Sequence, residues 1–86
     1  MNYIEIVKAI NNKVGSSSYS IWTIGVTDYP NIRKTQHESD SENVKQWSQW
    51  KTDSEKVGRD VEKHFLDLGM EGGSGGGGEA GYVYVF

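Results

Sequence analysis

Eighty-six residues, 35% of them hydrophobic and with a net charge of −3, suffice for one small domain spanning residues 1–86 with a single core. The absence of cysteine excludes a disulfide framework, a thiol nucleophile and every thiolate metal site. No apolar run approaches the roughly 20 residues a bilayer span requires, and the first residues lack the basic start and apolar stretch of a signal peptide. The chain is therefore expected to be soluble and cytoplasmic, with no membrane partner. Its charge is uneven: residues 1–37 carry four basic and two acidic groups, residues 38–86 five basic and ten acidic. A polyanion has to meet the first half.

Tyr3, Val7, Ile10 and Val14 recur at helical spacing, with Ile4 and Ile6 beside them, which predicts a helix over residues 2–13. Gly15 and the serines Ser16–Ser18 end it. The stretch from Tyr19 to Thr27 is rich in β-branched and aromatic residues and predicts an interior strand. Asp28-Tyr29-Pro30 reads as a helix entry, with the aspartate as cap and proline in the first turn, and the helix is expected over about 29–38. Polar residues 38–43 then connect to Trp47 and Trp50, for which core packing is favoured over base stacking. Thr52-Asp53-Ser54-Glu55 matches a capping box and opens a third helix over about 53–68, with Val57, Val61, Phe65 and Leu68 as its buried stripe and Gly69 as its stop. Residues 69–81 hold eight of the eleven glycines and read as a flexible Gly-rich loop. The alternating residues Tyr82–Phe86 predict a final strand lying beside residues 19–27. The fold class is α+β: a small antiparallel sheet of two or three strands packed by three helices.

Two motifs favour ordinary structure. Gly73, Gly75 and Gly78 have the G-x-G-x-x-G spacing, but a helix precedes and a strand follows, the reverse of a nucleotide-binding context. Asp60 and His64 share a helical face, where a surface ion pair is favoured over a metal site. The constellation that carries chemistry is Gly25, Thr27, Arg33 and His37. Glycine inside a strand admits a close neighbour. Arg33 and His37, four residues apart, project from one side of the following helix, so a guanidinium fork for phosphate stands beside an imidazole that moves a proton. Glu62 on the third helix is the carboxylate placed to hold Mg²⁺ or another divalent cation.

These residues resemble the second half of a GIY-YIG domain, over about residues 19–66. That pattern has Tyr-Ile/Val-Gly on a strand, a small residue or threonine two positions on, an arginine eight positions after the glycine and often a histidine four further. Gly25, Thr27, Arg33 and His37 match each step, and Val61-Glu62 with Phe65 fits the glutamate of a later helix. The resemblance implies metal-dependent phosphodiester hydrolysis on DNA, with Arg33 stabilising phosphate charge, Glu62 binding the metal and His37 positioning or deprotonating groups at the reacting centre. The chain departs from the pattern at Thr23, which replaces the tyrosine of the second motif, and in having no Gly-Ile-Tyr upstream. The missing ring is expected from Tyr82 or Tyr84, as in a permuted arrangement. An inactive relative keeping the fold alone is weighed beside the hydrolase. The alternative from another class is a non-catalytic protein-binding module using the aromatic C-terminal strand and the Trp47/Trp50 surface.

Overall fold

The computed structural model describes residues 1–72 and 80–86. Helix α1 (Tyr3–Val14) starts where Asn2 and Glu5 cap each other reciprocally: Asn2 Oδ1 accepts from the Glu5 N–H, and Glu5 Oε1 accepts from the Asn2 N–H, both at 2.9 Å. Ile6, Ile10 and Val14, at four-residue intervals, form its buried stripe, and Gly15 at φ 58 ends it. The predicted long strand divides into a 3-10 turn at Tyr19–Ile21 and strand β1 (Thr23–Thr27). Ser18 accepts a hydrogen bond from the Ser20 N–H and so caps that turn, a local side-chain bond that outcompetes the β propensity of Tyr19 and Ile21.

Helix α2 (Pro30–Ser39) begins without a side-chain cap. Asp28, expected to supply it, instead accepts from the Gly81 N–H at 3.1 Å and ties the end of β1 to the last strand, while Thr27 Oγ1 takes the Tyr29 N–H. Strand β2 (Ser48–Lys51) was not foreseen: only Trp50 in it looks strand-like, and its burial alternates between half-buried and exposed. Helix α3 (Glu55–Asp67) is capped by Ser54, which accepts from the Val57 N–H, and not by Thr52. The Thr52 hydroxyl is buried and donates to the carbonyl of Ala80 at 2.8 Å. Val61 and Phe65 are fully buried as expected, whereas Leu68 is 45% exposed, lying past the last helical turn beside Gly69 at φ 112.

The sheet has four strands in the order β2-β4-β1-β3, counting β3 (Glu71–Gly72) and β4 (Tyr82–Val85). This corrects the expected two- or three-stranded antiparallel sheet. β4 lies antiparallel to both β1 and β2, but β3 runs parallel to β1. The sequence at 69–81 hid β3 because glycine carries no strand preference. Here Met70 is buried beside the end of α3, its N–H on the Phe65 carbonyl at 3.0 Å, and Glu71 bonds the Trp22 carbonyl at 2.9 Å, which fixes the parallel register. β3 thus takes up Glu71–Gly72 of the expected Gly-rich loop. The loop's centre, with the spaced glycines Gly73, Gly75 and Gly78, lies outside the described residues.

Alternation along β1 and β4 sorts the two faces of the sheet. Ile24, Val26, Val83 and Val85 join Ile6, Ile10, Val61, Phe65 and Met70 in the core under α1 and α3. Gly25 and Tyr84, directly opposite each other in the ladder, belong to the other face, where His37 of α2 is buried against them. The two tryptophans also part company: Trp50 packs on the α1–α3 core, while Trp47 stacks on Tyr84. No described helix is long and apolar enough to cross a membrane.

Candidate active site

The site is built around one phenol. Because Gly25 has no side chain, the ring of Tyr84 lies across its backbone: a Cβ at Gly25 would collide with the Tyr84 hydroxyl and ring carbons. The close approach expected at this glycine is made by the C-terminal strand. Trp47 stacks on the Tyr84 ring at 4.5 Å and 10°, and Phe86 extends the stack, 5.4 Å from Trp47. These contacts leave Tyr84 only 1% exposed.

The Tyr84 hydroxyl is 2.9 Å from Nε2 of His37, which is itself 3% exposed. The opposite ring nitrogen, Nδ1, meets the Glu42 carboxylate. Ser41 at φ 66 turns the chain after α2, so that the Glu42 N–H bonds the His37 carbonyl at 3.1 Å and its carboxylate folds back onto the ring. A carboxylate only accepts, so Nδ1 carries the proton. In the tautomer with that proton on Nδ1 alone, Nε2 accepts from the Tyr84 hydroxyl. Phenol, imidazole and carboxylate form one chain in which each group orients the next, the generalised nucleophile, base and orienting-group layout of hydrolytic sites.

Two further charges act on the same hydroxyl. Burial pushes the Tyr84 pKa up to about 12; Arg33 works against that rise, while Glu62 and Glu42 add to it. Arg33 and Glu62 are half-buried and Glu42 is exposed, so solvent reaches all three of these charged groups. The pKa of Glu62 is raised from 4.5, first by burial, with Arg59 pulling it back. Of the residues expected at the site, His37 thus touches Tyr84 directly, and Arg33 and Glu62 act on it through charge. Gly25 supplies the floor. Thr27 is buried and serves the backbone at the entry to α2. Asp60 pairs with Lys56 at 2.6 Å and not with His64, whose ring packs edge-on against Tyr3 and Phe65.

Sequence reasoning missed Glu42 altogether. Its only signal was a carboxylate five residues after His37 in a polar stretch, and the left-handed Ser41 that brings it back has no sequence marker. A divalent cation fits the donors present in a limited sense. Among the described residues no group of three or more histidines and carboxylates is gathered, so no all-protein cage exists there. Mg²⁺ held largely by water and substrate oxygen needs only one or two carboxylates, and a carboxylate whose ionised form is penalised by burial, as at Glu62, gains from a cation. No family model, curated protein sequence or solved structure matches the chain.

Proposed function

We propose that the chain is a metal-assisted phosphodiester hydrolase acting on DNA, with a GIY-YIG-like layout whose tyrosine comes from the C-terminal strand. The observation that carries this reading is that the Tyr84 hydroxyl lies over Gly25, bonded to His37 and within the electrostatic reach of Arg33 and Glu62. Arg33 offers fixed donors to a phosphate and stabilises the charge that builds on its oxygens in the transition state. His37 takes up and returns a proton through Nε2, with Tyr84 as the relay between the buried imidazole and the reacting centre, and Glu42 holds the tautomer and steadies the imidazolium. Glu62 would hold the divalent ion, which when bound polarises a phosphoryl oxygen and acidifies water.

The near-complete burial of Tyr84 and His37 favours a second reading, an inactive relative in which the same hydrogen bonds fasten α2 to the sheet. The protein-binding alternative has less to work with at the C-terminal strand, since β1 and β2 occupy both edges of β4. Incubation of supercoiled plasmid with Mg²⁺ or Mn²⁺ separates the readings. Wild type is expected to nick the DNA, and Arg33→Ala and Glu62→Ala to lose about 10²- to 10³-fold in rate. Equal cleavage by all three proteins, or none by wild type, overturns the hydrolase reading.

A further inference from the structure

A cleft of about 350 Å³ opens beside the candidate centre, lined by Trp22, Thr23, Glu42, Asn43, Gln46 and Phe86. It shares two residues with that centre: Glu42, which holds His37, and Phe86, whose ring is 4.8 Å from the His37 ring. The size suits a small ligand, for which pockets start at about 300 Å³. Its lining combines two aromatic rings with side chains of both hydrogen-bonding senses. Trp22 is held in place by its indole N–H on Ser17 at 3.0 Å, and the Lys13 ammonium stands over the ring at 5.6 Å. The Asn43 amide is oriented as well: its Oδ1 accepts from the Lys45 N–H at 3.0 Å, so its NH₂ is the part left to donate. Glu42 accepts only, and its bond to His37 uses one of about four lone-pair sites.

We propose that this cleft recognises one unstacked guanine base. Flat aromatic walls stack any base, but the polar lining selects. The adjacent N1–H and N2–H₂ donors of guanine match a carboxylate, and its O6 and N7 acceptors match the amide donors of Asn43 and Gln46. Adenine lacks the paired donors, and cytosine offers only its N4 amino group to the carboxylate. The inference is independent of the hydrolase reading.

The test is an amide NMR titration of the whole chain, without divalent metal, with deoxyguanosine, deoxyadenosine and deoxycytidine monophosphates and with inorganic phosphate. The guanine nucleotide is expected to move the Thr23, Asn43 and Phe86 signals with about tenfold or greater preference over the other two, and phosphate alone to leave them in place. Asn43→Asp keeps the acceptor for the Lys45 N–H and reverses the edge shown to the base. Its spectrum should stay dispersed while guanine binding weakens about tenfold; Gln46→Leu is expected to act in the same direction. Tighter binding of a single-stranded oligonucleotide holding one guanine, relative to an abasic control, assigns the base to nucleic acid, and tighter binding of the free nucleotide assigns it to a metabolite. No movement at those three residues, equal movement with phosphate alone, or full binding by both variants overturns the proposal. Because the titration reads no cleavage, an empty cleft and an inactive hydrolase are told apart.

Discussion

Gly25 and Tyr84 depend on each other, since the space a Cβ would occupy at residue 25 is filled by the tyrosine. Gly25→Ala is therefore expected to cost about 1–3 kcal/mol through overpacking, measured by urea unfolding, and to displace the hydroxyl from His37. The buried phenol also sets a pH dependence. With its pKa raised from 10 to about 12 in the folded protein, its contribution to stability is complete below pH 10 and is lost as pH climbs towards 12. Urea midpoints across that range should fall in the wild type more steeply than in Tyr84→Phe, and parallel slopes would contradict the assignment. At this scale strand and helix patterning placed Gly25 on β1, Arg33 and His37 on α2 and Glu62 on α3, where the structure has them. It did not expose what they converge on. The pairing of Gly25 with Tyr84 spans 59 positions and is fixed by register, and the approach of Glu42 to His37 depends on one left-handed serine.

Helix α3 shows where local preference and packing disagree. On helix propensity, Gly58→Ala should stabilise by about 1 kcal/mol. At this position a methyl group would lie 2.7 Å from the Ala80 carbonyl oxygen and 2.8 Å from its Cβ, so the substitution is expected to destabilise by about 1–3 kcal/mol in urea unfolding. Ser54→Ala should cost about 1 kcal/mol by removing the cap, whereas a capping role for Thr52 predicts no such loss. The three helices and the strands at Thr23–Thr27 and Tyr82–Val85 were legible because each carries its own periodicity or stop signal. β2 and β3 were not. Ser48–Lys51 and Glu71–Gly72 have little intrinsic strand preference and become strands by pairing with β4 and β1, a tertiary effect that no local window contains.

The whole molecule is closed by its last strand. β4 separates β1 from β2, carries Val83 and Val85 into one face and Tyr84 into the other, and so links the core to the candidate site. A chain ending at Gly81 is expected to lose cooperative unfolding, since β1 and β2 are then left without the strand that joins them; a sharp urea transition in that shortened chain would contradict the topology. On the proposed hydrolase reading, function and stability also pull apart at this scale. Glu62 has a raised pKa, so its contribution is complete below about pH 4.5 and turns into a cost as the carboxyl ionises above that. A hydrolytic centre retains such a cost for its chemistry, and relieving it trades activity for stability. The most direct measurement is plasmid nicking by Glu62→Gln beside wild type in Mg²⁺, with urea unfolding of both at neutral pH. Cleavage lost in a variant at least as stable as wild type is the predicted result; undiminished cleavage by the variant, or a wild type that leaves the plasmid intact, would contradict it.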